Sequence, residues 1–385
     1  MTPIYFDHAA STPLKENALR VLCNATKKAY ANPSSTHLLG AELAEKIESC
    51  RQVILKALKA EDDYRVVFTS SATEANNMVY HGLETSAQNH VVYCEADHPS
   101  ITEPAKQMSS KWSALPHRLA ADGTVSLQLI SEKLSQHTRL VVLTHVNNHS
   151  GIHNPVDAHA RDVKTLFPTV HIHVDASQSF GKLPLDLSHG NIDSVALSAH
   201  KMGGPKGISA LILKKTTIEK SQFKPIFLGG GHEYGLRAST LAFPLILSWA
   251  AAFADPHEVS ASIEKVSELN KFLRTFISTN HPDILFPFNF EKTSPYILTL
   301  IIPGISTDIL MRHLSEEGIC VSSSSACSSR IQGTNTVFTA LGLEERFHKN
   351  VLRLSFAETS STEEVSLFCK SFSKINRALS HLRGT

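Results

Sequence analysis

The chain has 385 residues, of which 42% are hydrophobic and 19% charged, and its 37 Lys and Arg against 36 Asp and Glu leave a formal charge of +1. That length exceeds what one core usually holds, so two lobes are expected. The charge balance argues against nucleic acid or an anionic membrane as the main partner, and no run approaches the roughly 20 apolar residues that span a bilayer. The opening Met1-Thr2-Pro3-Ile4-Tyr5-Phe6-Asp7 lacks a basic segment followed by an apolar one, so no secretory signal is expected and the cytoplasm is the expected compartment.

In chain order, Leu39, Leu43, Ile47, Ile54 and Leu58 recur at helical spacing between Thr36 and Ala60. Short apolar runs follow at Arg65–Thr69, His90–Cys94, Leu140–Thr144, Val170–Val174, Ile192–Leu197 and Ile208–Leu213. Separated by helical stretches, they read as buried strands of a largely parallel α/β sheet. An apolar helix-like stretch, Ala238–Ala254, ends the large domain near Asp255-Pro256. A smaller α+β domain is expected beyond it: helix Val259–Ser278, strand Tyr296–Ile302, helix Thr307–Glu317, strand Val351–Phe356 and a helix from Thr362 to about Leu382.

Six cysteines form no C-x-x-C pair, and the closest two, Cys320 and Cys327, are seven apart, so neither a zinc site nor a disulfide framework is expected and no metal is assigned. No H-E-x-x-H, Walker loop or G-x-S-x-G occurs, which argues against zinc proteases, P-loop enzymes and serine hydrolases. Five local features carry chemistry. Ser70-Ser71-Ala72-Thr73-Glu74 sits where a strand passes into a helix, an arrangement that binds phosphate, although taken alone an ordinary N-cap is the favoured explanation. Asp175 directly follows an apolar strand, and a buried carboxylate there needs a cation or several donors. Lys201, in Ser198-Ala199-His200-Lys201-Met202-Gly203-Gly204, stands where Schiff-base chemistry could be run; a surface turn lysine is the bland reading. Cys327 lies within the serine tract Ser322–Ser329 beside Arg330, a setting for a nucleophilic thiol rather than a buried one. Arg353 sits inside an apolar strand and requires a carboxylate partner, from substrate or protein.

Together these residues resemble the NifS/IscS-type cysteine desulfurases of the class V aminotransferase, fold-type I pyridoxal-phosphate superfamily. The resemblance runs from Ile4–Pro13 and Asn32–His37 through Ala72-Thr73-Glu74, Asp97-His98, His145–Asn148 and His173–Gln178. It continues through Ser198–Lys201, Gly229–Glu233 and Ser325-Ala326-Cys327 to Arg353-Leu354-Ser355. It implies an α/β fold whose large domain, residues 15–254, has a seven-stranded mostly parallel sheet. Residues 1–14 and 255–385 would form the small domain carrying the cysteine loop.

By the same resemblance Lys201 holds pyridoxal 5′-phosphate as a Schiff base, Asp175 pairs with the ring nitrogen, His98 stacks on the ring and shuttles protons, and Gln178 bonds the ring hydroxyl. Ala72, Thr73, Ser198 and His200 hold the phosphate, and Thr240 reaches the phosphate of a neighbouring subunit, which implies a homodimer. Asn148 and Arg353 grip the substrate carboxylate. Cys327 takes sulfur from L-cysteine as a persulfide, leaving L-alanine, and passes it to an acceptor such as an iron–sulfur scaffold or a thiolation protein. Three positions depart from the family pattern: Ser71 stands where Gly is usual, His149 where Glu is usual, and Glu358 near a second Arg. The end at Thr385 implies a shorter tail than the one scaffold-docking members use. The main alternative is another reaction on the same fold, such as transamination or selenocysteine lysis; the departures add a second, a weakened homologue that binds sulfur carriers.

Overall fold

In the computed structural model the described residues are 3–83, 88–108, 110–120, 122–220, 222–253, 256–323 and 336–381. A seven-stranded sheet forms the centre. Its strands are β2 (Tyr64–Thr69), β3 (His90–Cys94), β4 (Ser113–His117), β5 (Thr138–Thr144), β6 (His171–Asp175), β7 (Ser194–Ser198) and β8 (Ser209–Lys214), in the order β2-β8-β7-β6-β5-β3-β4. Only β8 runs against the rest, pairing antiparallel with both β7 and β2. A two-residue strand β1 (Ile4–Tyr5) pairs with β10 (Ile319–Cys320). Strands β11 (Ser322–Ser323), β12 (Val351–Ser355) and β9 (Ile297–Ile301) make a second, antiparallel sheet.

Alternation along the strands explains why both faces of the central sheet are dry. Val66, Phe68, Val141, Leu143, Ile172, Val174, Val195 and Leu197 enter one apolar cluster, closed by the helix α2 (Leu38–Ala57), which follows α1 (Glu16–Lys28), and by the helix Phe243–Ala251. Their neighbours Val67, Leu140, Val142, Ala196 and Leu211 enter the opposite cluster under α3 (Ala72–Gly82) and α4 (Pro99–Gln107). A period of two on a parallel sheet covered on both faces gives continuous hydrophobic runs, which is how these strands read in the sequence. A separate core joins Phe6 to Leu298, Leu300, Leu352 and Leu354 and to the helices Pro256–Asn280, Thr307–Glu316 and Thr362–Ala378.

The expected strands all occur, within two residues of the expected bounds. The stretch expected to be helical from Ala238 is helical only from Phe243, because Pro244 fits the first turn and not the interior. β4 was not expected. It carries Pro116, and it pairs on one side only, with β3, the edge position where proline is tolerated.

Buried histidines make this fold acid-sensitive. Burial pushes the imidazole of His145 down to about 3 and that of His171 to about 4, and it lowers His173 as well. In the unfolded chain each would titrate near ~6.5. Between those values the unfolded chain binds more protons, so stability is full above ~6.5 and declines as pH falls toward 4. Asp97, pushed up to about 7 by burial, acts in the opposite sense over the same range, one group against three. The urea midpoint of cofactor-free protein should therefore drop between pH 7 and 5; a flat midpoint would contradict the assignment of neutral histidines.

Candidate active site

The parallel strands point their carboxyl ends at one cavity of about 610 Å³, the position where open α/β sheets bind ligands. β2 delivers Ser70 and Ser71, β5 leads to Asn148, β6 ends at Asp175, and β7 ends at Ser198 before the turn Ala199–Lys201. Because β8 runs the other way, its first residue, Ser209, reaches the same edge.

Ser71 caps α3, accepting from the Glu74 N–H at 3.1 Å, while the Glu74 carboxylate accepts from the Ser70 N–H at 2.7 Å and from Arg237 Nε at 2.8 Å. The first-turn N–H groups at Ala72 and Thr73 have no acceptor within the helix's own ladder and face an anion-favouring helix end. Ser71 has φ −159°, an extended conformation open to any residue, so serine in place of glycine carries no backbone strain.

Lys201 is fixed from the N-terminal segment. The Thr12 N–H donates to His200 O at 2.9 Å, Thr12 Oγ1 donates to Lys201 O at 3.2 Å, and the Lys15 N–H donates to Gly203 O at 2.9 Å. Gly203 has φ +87°, and a Cβ there would lie 2.6 Å from Lys15 Cγ, so only glycine fits this turn. Glu358 forms an ion pair with the Lys15 ammonium at 2.8 Å, so this departure from the family pattern supports the lysine loop. Burial, with the charges of Lys201, Lys206 and Lys182, pushes His200 down to about 4 and keeps it neutral.

Asp175 is buried. Burial alone would raise its pKa, but hydrogen bonds from the Ser177 N–H (2.9 Å) and Asn76 Nδ2 (3.0 Å), with His98 nearby, hold it below the usual carboxylate value. His98 caps α4, its Nδ1 accepting from the Ser100 N–H at 3.1 Å. Burial lowers its pKa, an effect opposed by Asp175 and reinforced by Lys201. Gln178 Nε2 donates to Ala9 O at 2.9 Å, and its Oε1 is buried without a hydrogen-bond partner.

Arg353 donates from Nη2 to Asp7 Oδ1 at 2.8 Å and from Nη1 to Asn148 O at 2.9 Å, and its Nε is buried with no partner among the described residues. A protein carboxylate and a carbonyl thus aim the guanidinium, and the unpartnered Nε edge remains for a carboxylate ligand. His149 lines the same cavity, its ring edge-on to Phe338 at 6.2 Å and its carbonyl accepting from Thr299 Oγ1 at 2.7 Å.

A flat cationic ring bearing a phosphate fits this donor set. An ionised Asp175 suits a cation, the N-terminus of α3 suits an anion, and Gln178 Oε1 and Ser209 Oγ are buried polar atoms without partners among the described residues. Ala72, Thr73, His98, Asn148, Asp175, Gln178, Ser198, His200, Lys201 and Arg353 all line the one cavity. Thr240 does not; it is exposed. Cys327 and the rest of the tract from residue 324 lie outside the described residues, although the tract leaves β11, where Ser322 pairs in register with Arg353. Asp7, Asn76 and Ser209 were not singled out from the sequence. Asp7 and Asn76 are partners of assigned residues 346 and 99 positions away, and no local pattern marks them.

The aminotransferase class-V family profile matches residues 4–368. The chain is 30% identical over 389 residues to the cysteine desulfurase IscS of Proteus mirabilis, covering 99% of this chain and 94% of that protein. Among solved structures, a NifS-like protein superposes with a TM-score of 0.88 at 27% identity, covering 98% of this chain and all of that one. A structure described as SspA in complex with cysteine superposes with a TM-score of 0.78 at 28% identity, covering 93% and 99%.

Proposed function

This chain belongs to the class-V aminotransferase family and is a pyridoxal-phosphate-dependent cysteine desulfurase of the NifS/IscS type, and from that premise we propose how its own residues divide the work. The observation that carries the division is the convergence of Lys201, Asp175, the N-terminus of α3 and Arg353 on one cavity.

Lys201 holds the cofactor. Asp175 would neutralise its ring nitrogen, His98 would cover the ring, Gln178 would meet the ring hydroxyl, and Ala72, Thr73, Ser198 and His200 would hold the phosphate. Bound there, pyridoxal phosphate supplies an electron sink that permits cleavage of a carbon–sulfur bond. Arg353 and Asn148 orient the carboxylate of L-cysteine. The Cys327 thiolate attacks the substrate sulfur, so that an S–S bond forms as the C–S bond breaks, giving a Cys327 persulfide and L-alanine. His98, with its proton on Nε2, and Lys201 move protons at the substrate's α- and β-carbons.

Thr240 acts across a homodimer. It is exposed and lies apart from its own chain's cavity, and large apolar side chains such as Leu228 (87% exposed), Tyr30 (82%) and Leu38 (73%) give such an interface material to bury. Residues 15–254 form the cofactor-binding domain, and 1–14 with 255–385 the domain that carries the cysteine. The sulfur passes on to an acceptor protein such as an iron–sulfur scaffold. No described helix is long and apolar enough to cross a membrane.

Purified protein incubated with L-cysteine and a thiol reductant should release alanine and sulfide in equal amounts. A keto acid without sulfide would indicate transamination. No product at all, from protein that holds its cofactor, would leave a binding homologue.

A further inference from the structure

His171, His173 and Asp175 occupy alternate positions on β6, while Ile172 and Val174 between them enter the apolar cluster on the opposite face. The three polar side chains therefore share the face under α3. A continuous hydrogen-bond line connects them. His171 Nε2 lies 2.7 Å from Ser194 Oγ, Ser194 Oγ 2.8 Å from His173 Nδ1, and His173 Nε2 2.9 Å from Asn76 Oδ1. At Asn76 the line forks. Its Nδ2 is 3.0 Å from Asp175 Oδ2 and 2.8 Å from Ser100 Oγ, and Ser100 Oγ is 2.8 Å from His98 Nδ1.

The direction of each bond follows from one fact, that an ionised carboxylate only accepts. Asn76 must then turn its NH₂ toward Asp175, which leaves Oδ1 to accept from His173 Nε2–H. His173, neutral, accepts at Nδ1 from the Ser194 hydroxyl, whose oxygen accepts in turn from His171 Nε2–H. On the other branch the second amide hydrogen of Asn76 goes to Ser100 Oγ. The Ser100 hydroxyl is thereby free to donate to His98 Nδ1, which also accepts the Ser100 N–H. With its Nδ1 lone pair engaged, neutral His98 carries its proton on Nε2. Asn76, His173 and Ser194 have no exposed surface, so water cannot substitute for any of them.

We propose that Asn76 is a positioning residue that sets two groups at once: it keeps Asp175 ionised and aimed, and through the Ser100 hydroxyl it reinforces the hold on His98 Nδ1 that the Ser100 N–H shares. The inference rests on the proposed cofactor site. A buried amide satisfied for packing alone would need one acceptor and one donor from any side. Here its two hydrogens divide between the carboxylate assigned to the ring nitrogen and the serine that orients the histidine assigned to the ring face.

The test uses Asn76→Asp, which keeps shape and volume but removes the donors, alongside Asn76→Ala and Ser100→Ala. Thermal midpoints of the cofactor-free proteins establish that each folds. Loss of a hydrogen bond to a charged group corresponds to a change of about 10- to 100-fold. Both Asn76 variants should bind pyridoxal phosphate that much more weakly and shift the pH midpoint of the visible absorbance band by about one unit or more. Ser100→Ala removes the hydroxyl link between Asn76 and His98 while leaving the Asn76–Asp175 bond and the Ser100 N–H on His98 in place. It should keep cofactor affinity within about 2-fold while kcat for L-cysteine falls by about 10-fold or more with KM little changed. Folded Asn76→Asp with wild-type cofactor affinity and absorbance titration overturns the proposal. A wild-type protein that takes up no pyridoxal phosphate overturns the parent reading, and this one with it, a result seen before any variant is made.

Discussion

Replacing Lys201 by alanine should leave protein that borohydride can no longer join to pyridoxal phosphate and that turns over cysteine at least about 10²- to 10⁴-fold more slowly, from the loss of general acid–base function alone. The expectation follows from how firmly the loop is placed. Backbone bonds from Thr12 and Lys15 hold His200 and Gly203, and the Thr12 hydroxyl holds the Lys201 carbonyl, at the carboxyl end of β7. The groups around it are arranged so that no substitute is at hand. His200 is kept neutral at about 4, and Lys182, pushed down to about 7 by burial with Lys201 and Glu358 also acting on it, does not line the cavity. Lys206 lines the cavity but belongs to the next turn. Reduction with borohydride followed by peptide mapping decides the matter. Label retained at another lysine with full turnover would refute the assignment of Lys201.

Cys327→Ala should abolish alanine and sulfide release to a similar degree while leaving the yellow cofactor band and its borohydride fixation intact. The two variants therefore separate cofactor holding from sulfur transfer. Four of the other cysteines make poor replacements. Burial pushes the Cys50 thiol up to about 11 and Cys369 up to about 12, and it raises Cys94 far above its ordinary range, so these stay protonated and unreactive. Cys23 is exposed on α1, which does not line the cavity. A free thiol near ~8.5 needs a positive field to ionise at neutral pH. The tract bearing Cys327 follows β11, whose Ser322 pairs in register with Arg353. Mass spectrometry of wild-type protein after cysteine should find the extra sulfur on Cys327. Full desulfuration by Cys327→Ala would refute its role.

Much of the site was legible because its pieces are local. A strand that ends in a serine-capped helix, a strand that ends in Asp175 and a strand that ends before Lys201 each announce themselves within about ten residues. The buried strands of a parallel sheet show as continuous hydrophobic runs, and the helices show at 3.6-residue spacing. The resemblance then joined those pieces in order. The family match over residues 4–368 agrees with that reading.

What stayed hidden depends on distance along the chain. Asp7 restrains Arg353 across 346 residues, and Asn76 meets Asp175 across 99. Nothing within either local pattern says that an aspartate in the N-terminal segment or an asparagine on α3 will be a partner. The reversed direction of β8, which brings Ser209 to the cavity, is set by chain connectivity and not by the apolar run itself. β4 escaped because a proline-bearing edge strand lacks the usual pattern. The sequence by itself determined the element types, the cofactor class and the residues whose chemistry is stated by their own neighbours. Only the tertiary structure decided which donors hold those residues ionised, neutral or aimed, because hydrogen-bond partners are chosen by proximity in space once the apolar faces have packed.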